Sequence, residues 1–344
     1  MNNRPPRRAS PSVRPRARHL DSRQTLGWDG TVATETTSTD EADGTDGTGE
    51  PDETAVFERH RSVLTGVAYR MLGRFADAED VVQEAWLRWS GEGRADVRDP
   101  RAYLVRITTR LAIDRLRQAQ SRREAYVGPW LPEPVVTDYG PAASDTAERA
   151  VLADSVSLAV LVVLESLSPL ERAVFVLREA FGFPFAEIAA VLDRSEAAVR
   201  QLAGRARRHV EERRPRYDVD PAERRDLTER FLAAAGGGDM EALIGLLAPD
   251  VRLVGDSGGK AKAPLRIVEG ADKVARFFIA VAGDAARYER RIVEINGAVA
   301  LLVLSDGKPD LVLQLEIADG AVRSVHIMRN PDKLAGVVSG RPAL

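Results

Sequence analysis

Apolar positions along the chain keep two different periods, and the change from one to the other divides it. From residue 54 to about 214 they recur every three or four residues, the spacing of a helix with one buried face. Phe57, Leu64, Ala68, Met71 and Leu72 open the series. Val81, Ala85 and Trp89 continue it, with Gln83, Glu84 and Arg88 on the other side, and Leu104, Ile107, Leu111 and Ile113 line a third helix. Asp77 stands where it can cap the second helix, and Glu79 and Asp80 suit its positive N-terminus. Asp99-Pro100 reads as the cap and first residue of the third. Ser168-Pro169-Leu170-Glu171 is a capping box with proline at the first helical position. The run "PFAEIAAVLDRSEAAVRQLAGRARR" then reads as helix, turn, helix. Ile188 and Leu192 face inward on the first, and Val199, Leu202 and Ala206 on the second. Asp193-Arg194-Ser195 makes the turn, with Ser195 as cap.

From Asp220 the period changes. Short helices over 222–235, 239–247 and 271–282 mix with the alternating runs "YERRIVEI", "AVALLVLS", "DLVLQLEIA" and "AVRSVHIM", which are strands. Asn-Gly in "INGAV" and Asp-Gly in "ADGAV" are strong hairpin signals. Helices first and antiparallel strands after predict an α+β domain with a bent sheet. The fold class is therefore multidomain: two all-α domains followed by an α+β domain. Between the helical domains lies "GPWLPEP", a stiff, apolar stretch where a loose linker is expected, followed by a polar spacer over 137–147. Residues 1–53 carry seven Arg within the first 23 positions and seven acidic residues between 40 and 53, and they read as disordered.

Composition removes several chemistries. The 344 residues include no cysteine, which excludes disulfides, thiolate zinc sites and cysteine nucleophiles and suits a cytoplasmic protein. The longest apolar run, 158–164, is too short to span a bilayer, and the arginines at the start precede no apolar signal segment. A net charge of −3 conceals local asymmetry. Residues 101–123 hold seven Arg against Asp114, and 194–214 hold seven Arg against three Glu. Two basic helical units in one chain fit two contacts on one nucleic acid. On the second unit, Ser195, Glu196, Ala197, Arg200, Gln201, Arg205 and Arg208 form the outward face, where Arg can fork onto guanine or phosphate and Gln can pair with adenine. The acidic helix around "DAEDVVQEAWLRW" suits a basic protein partner instead. "GDSGGK" is not a phosphate-binding loop: three residues separate Gly255 from Gly259, and Ala261 follows Lys260. No metal or cofactor is expected.

"DAEDVVQEAWLRW", "DPRAYLVRITTRLAIDRLR" and "LSPLERAVFVLREAFGFPFAEIAAVLDRSEAAVRQLAGRARR", in that order and spacing, resemble the group 4 (extracytoplasmic-function) sigma factors of bacterial RNA polymerase over about 54–214. The resemblance implies sigma region 2 over 54–125, a linker over 126–147 and sigma region 4 over 148–214. It implies that Asp77, Glu79, Asp80, Gln83, Glu84, Trp86 and Leu87 dock on the β′ coiled coil of core polymerase, with the β flap as a second contact. Arg101, Tyr103, Arg106, Arg110, Arg115 and Arg117 would serve the −10 element, and the outward face from Ser195 to Arg208 the −35 element of promoter DNA. Residues 220–334 resemble SnoaL-like proteins of the nuclear-transport-factor-2 fold, cones whose pocket holds a small molecule or active site in some relatives; 335–344 would be a tail. Some of those relatives use an Asp or His inside the cone, for which the resemblance offers Asp250, Asp256 and His326 here, but these form no convincing acid–base pair. A subgroup of these sigma factors carries such a domain together with a Trp-Leu-Pro-Glu-Pro linker, an Asp-Gly-Gly-Gly-Lys loop and a C-terminal Asn-Pro-Asp-Lys-Leu. Here Trp130, Leu131, Pro132, Glu133 and Pro134 are intact, as are Asn330, Pro331, Asp332, Lys333 and Leu334. The loop reads Asp256, Ser257, Gly258, Gly259, Lys260, with serine in place of a glycine; a positive φ at 257 would strain it. The resemblance implies that the loop and the C-terminal motif grip the linker and regulate the sigma domains. The alternative is a SnoaL-like enzyme or ligand sensor fused to a DNA-binding regulator.

Overall fold

A computed structural model describes residues 52–91, 97–123, 126–136, 157–213, 220–282 and 288–339. The disordered reading of residues 1–51, the polar spacer 137–147 and the tail beyond 339 lie outside these residues.

Helix α1 (Glu53–Leu72) starts on Asp52, whose side chain accepts from the Thr54 amide, and stops at Gly73 with φ +70°. In α2 (Phe75–Trp89) the cap position falls on Arg74, so Asp77 is not a cap. It sits inside the first turn, and its carboxylate turns to Arg74 and Arg115. Helix α3 (Pro100–Arg123) is capped by Asp99, which accepts from the Ala102 amide at 3.0 Å. Helices α4 (Leu158–Leu164) and α5 (Pro169–Phe175) follow, and the capping box at Ser168 and Glu171 forms in full. A π-helical turn, Val176–Ala180, extends α5. Next come α6 (Phe185–Leu192) and α7 (Glu196–Arg213), joined through Asp193 in the left-handed region at φ +53°. Ser195 Oγ accepts from the Ala198 amide at 3.2 Å. The inward residues of the two helical domains merge into one apolar core, from Phe57 and Leu64 through Leu104 to Ile188, Val199 and Ala206.

The C-terminal domain is α+β. Helices α8 (Pro221–Gly237), α9 (Met240–Leu246) and α10 (Ala271–Ala282) pack on one face of a six-stranded sheet through Phe231, Leu243 and Phe278. The strands are β1 (Leu247–Asp256), β2 (Val268–Glu269), β3 (Glu289–Ile295), β4 (Ala298–Ser305), β5 (Lys308–Ala318) and β6 (Ala321–Met328), in the order β2-β1-β6-β5-β4-β3. The sheet is mixed rather than purely antiparallel, because β1 runs parallel to β6. That strand escapes the alternation pattern because Pro249 and Asp250 break its start, where the register with β6 also shifts. The Asn296-Gly297 and Asp319-Gly320 turns form as expected, and Asp306-Gly307 makes a third of the same kind. Helix α11 (Pro331–Leu334) runs into a 3₁₀ turn, Ala335–Ser339, whose Val337 is buried, so packing continues past residue 334.

Strand alternation gives the sheet two faces. Leu253, Leu313, Leu315, Val325 and Ile327 turn to the helices. Val312, Ala300, Leu302 and Met328 turn the other way, into a second apolar cluster that also contains Leu131 and Val136 of the linker and Val162 of α4.

Candidate functional site

On α7, Val199, Leu202 and Ala206 are buried, and Ser195, Glu196, Ala197, Arg200, Gln201, Arg205 and Arg208 are all exposed. The 3.6-residue period thus leaves one outward stripe at the start and middle of the helix, carrying three arginines and Gln201. Two of its arginines are held in place: Arg200 lies 4.7 Å over the Phe185 ring and pairs with Glu196, and Arg205 Nε lies 3.0 Å from Glu171. Such a braced helix, presented by α6 in front of it, has the geometry of a major-groove reader.

Helix α2 presents Glu79, Asp80, Gln83 and Leu87 outward, with Leu87 63% exposed despite its size. Trp86 departs from this face. It is partly buried, edge-on to Phe57 with ring centroids 5.0 Å apart, so it belongs to the core packing. Asp77 and Asp80 meet Arg115 of α3, and Glu84 pairs with Arg88. On α3, Tyr103 packs near Trp89, Arg117 pairs with Asp114, and Arg106 is exposed. Two other α3 arginines are engaged across the helical domains. Arg101 stacks 4.6 Å over Phe183, and Arg110 Nε donates to the Val191 carbonyl of α6 at 3.1 Å. Nearby, the buried Arg172 donates to the Arg70 carbonyl at 3.0 Å and to Glu165.

The linker motif, the glycine loop and the C-terminal motif meet at one buried point. The Asp256 carboxylate, fully buried at the end of β1, accepts from the Leu131 amide at 2.7 Å, from Lys333 Nζ at 2.7 Å and from the Tyr126 hydroxyl at 2.5 Å. Lys333 Nζ also donates to the Leu131 carbonyl and lies 3.2 Å from the centre of the Trp130 ring and 5.3 Å from that of Tyr126. A buried ammonium is tolerated here because a carboxylate, a carbonyl and two aromatic faces replace its water. Asn330 donates to the Tyr126 hydroxyl at 2.8 Å and caps α11 through the Asp332 amide. Burial and the adjacent Asp256 push the Tyr126 hydroxyl well above the usual tyrosine range. Leu131, Pro132, Glu133 and Pro134 are all buried, and Leu334 joins Leu131 in the apolar cluster.

Gly258 has φ +57°, and a Cβ there would meet Asn330 Nδ2 at 2.7 Å, so only glycine allows the approach. Ser257 lies outside the left-handed region, and its buried hydroxyl accepts from the Gly259 amide, so serine carries no strain there. Gly259 lies against Val127 of the linker. Outside the buried centre, Lys260 pairs with Asp332, both half exposed, and Pro331 is exposed.

The other end of the linker is gripped by groups that the motifs did not mark. Glu133 exchanges with the α1–α2 turn: its amide donates to the Gly73 carbonyl at 2.7 Å, and its carboxylate accepts from the Phe75 amide at 3.2 Å. Burial raises the Glu133 carboxyl, against the pull of Arg74. Asn296 is readable in the sequence as a turn former, and Tyr126 and Tyr69 as ordinary aromatics, but none carries a local signal for its partner.

The candidate acid–base residues do not converge. Asp250 is exposed and paired with Arg323. Asp256 is engaged by Leu131, Lys333 and Tyr126 in the buried cluster described above, the clasp. His326 pairs in register with Val254 and Gln314, on the sheet face away from the helices. Burial, then Arg252, lowers its pKa to about 4. The side chains of the central strands that face the helices are Leu, Val and Ile.

Sequence models of known families match in two places: Sigma-70 region 2 over residues 56–122 and Sigma-70, region 4 over residues 157–210. The ECF RNA polymerase sigma factor SigJ of Mycobacterium tuberculosis is 42% identical over 296 residues, covering 83% of this chain and 94% of SigJ. The chain belongs to the ECF sigma factor family. The probable ECF sigma factor SigI of the same organism is 34% identical over 284 residues, covering 81% of this chain and 94% of that protein. Likeness to the sigma factor SigJ extends to the fold. Its crystal structure matches with a TM-score of 0.66 at 39% identity, covering 82% of this chain and 98% of that one. The match therefore takes in the C-terminal domain as well as the two sigma regions.

Proposed function

We propose that this chain is an alternative sigma factor that binds core RNA polymerase, directs it to promoters with −10 and −35 elements, and initiates transcription under the control of its own C-terminal domain. The observation that carries the reading is the α7 face, where all seven residues assigned to the −35 element are exposed while the opposite side of the helix is core. The domains run as 54–125, 126–147, 148–214 and 220–334. In this reading the α2 face docks on the β′ coiled coil, with the β flap as a further contact, and the protein acts in the cytoplasm. It performs no covalent chemistry, in keeping with the scattered Asp250, Asp256 and His326. A small molecule bound within the C-terminal cone is a candidate signal.

The contacts between the helical domains support a closed state. Promoter elements centred roughly 25 base pairs apart lie ~85 Å apart at about 3.4 Å per step. Here Arg110 of α3 touches Val191 of α6 at 3.1 Å, so both elements cannot be engaged at once. Arg101 and Arg110, assigned to the −10 element, are moreover spent on Phe183 and Val191. Opening must release them, and the clasp biases the equilibrium only so far as it is stronger in the closed state.

Promoter selection tests the reading. Full-length protein and core polymerase are incubated with a randomised duplex library, and the retained duplexes are used for run-off transcription. The expected result is transcripts starting at a fixed distance from a two-block element. Retention of duplexes by the protein alone, with no dependence on polymerase, would make it a free DNA-binding regulator.

A further inference from the structure

We propose that Asn296 and Tyr69 form a second joint, separate from the clasp, which fastens the C-terminal domain to the first helical domain, so that the two move as one when the helix-turn-helix domain leaves. The joint is buried: Tyr69 is 0% and Asn296 1% exposed. Asn296 Nδ2 donates to the Tyr69 hydroxyl at 2.9 Å, and that hydroxyl donates to the Glu133 carbonyl at 3.0 Å. Asn296 Oδ1 accepts from the Val135 amide at 3.2 Å, and the Asn296 amide donates to the Val135 carbonyl at 2.9 Å. One side chain therefore ties together helix α1, the linker and the β3–β4 turn.

The choice of residue supports a built contact. Three hairpin turns in this domain place Asx-Gly at positive φ, at Asp306, Asp319 and Asn296. Asp and Asn serve such turns equally well. The two exposed turns use Asp, and the buried one uses Asn, the residue that can donate to Tyr69 and accept from Val135 at once. The turn is also braced from behind, since Gln314 Nε2 donates to the carbonyls of Ile295 at 2.8 Å and Ala298 at 3.3 Å.

Direction follows from where these bonds end. The hydrogen bonds named above that leave the C-terminal domain and the linker for the helical domains finish on Tyr69, Gly73 and Phe75, all at the α1–α2 turn. The contact with α4 named above is the apolar one at Val162. A partition of this kind makes the helix-turn-helix domain the mobile part.

The test rests on the sigma factor reading for its trigger, and it separates the two. The chain has no cysteine, so cysteine pairs at Arg59 with Ala190 and at Arg59 with Lys308, all exposed positions, take spin labels cleanly. Distances are measured in the full chain with and without core polymerase. Polymerase should lengthen 59–190 and leave 59–308 unchanged. Asn296→Asp, which keeps the turn but loses the donor, should broaden 59–308 on opening while 59–190 still lengthens. Lengthening of 59–308 in the parent, or an unaltered 59–308 in Asn296→Asp, overturns the joint. If polymerase leaves 59–190 unchanged, the sigma reading is what fails. The joint is then judged in the free chain by hydrogen exchange at the Val135 amide. Tyr69→Phe, which removes both hydrogen bonds of that hydroxyl, should speed exchange at least about fivefold; unchanged exchange rejects it.

Discussion

At the scale of single residues, the clasp is a charged pair with almost no contact with water. Lys333 and Asp256 side chains are 2% and 0% exposed. Breaking a buried pair on one side leaves the other charge stranded, at a typical cost of about 3–5 kcal/mol, whereas replacing both partners costs much less. Lys333→Met should therefore destabilise the closed protein by that order, and Lys333→Met with Asp256→Asn should recover most of the loss. Denaturant unfolding of the single and double variants checks it; equal destabilisation in both would contradict it. His326 gives a pH signature. Its native pKa of about 4 lies below the ordinary 6.5, so between those values the unfolded chain binds more protons. Stability should fall as pH drops through that window, by up to about 3 kcal/mol from this group. Glu133 and Glu316, raised by burial, act in the opposite sense. The difference between parent and His326→Gln isolates the histidine, and an identical pH profile for the two would refute the assignment.

At the scale of elements, periodicity located the helices well, because each has one face buried against the same core. Caps were legible where the side chain had no stronger partner, as at Asp99, Ser168 and Ser195. Asp77 does not cap because α2 already begins at Phe75, with Arg74 in the cap position, and its carboxylate inside the first turn meets Arg74 and Arg115 instead. Strand β1 escaped the alternation because Pro249 and Asp250 break its start, and its parallel pairing with β6, some seventy residues on, leaves no local trace. The three clasp motifs were legible through resemblance, while the Asn296–Tyr69 contact spans two domains and was not. Helix α2 yields a prediction at this scale. Leu87 is exposed and Trp86 packs on Phe57. Leu87→Ala should weaken core polymerase binding about tenfold, about the 1.4 kcal/mol of one modest contact residue, with little change in melting. Trp86→Ala should instead lower stability by several kcal/mol. Thermal melts beside polymerase titrations distinguish the two.

At the scale of the whole molecule, the linker is the axis of the structure. Seven residues that looked too stiff and apolar for a spacer are held at one end by Asp256 and Lys333 and at the other by the α1–α2 turn, with Asn296 gripping Val135 just beyond. Proline stiffness suits that role, since an extended segment has little entropy left to lose on docking. The grip builds the apolar cluster of Leu131, Val136 and Met328 against which Val162 of α4 packs, and in this closed arrangement Arg101 and Arg110, proposed to serve DNA, are turned onto a neighbouring ring and carbonyl. Weakening it should favour the open, binding-competent state. The direct measurement is a titration of purified core RNA polymerase with labelled full-length protein, parent against Lys333→Met. The account predicts saturable one-to-one binding by the parent and several-fold tighter binding by the variant. No binding by either protein, or weaker binding by the variant while it remains folded, would contradict it.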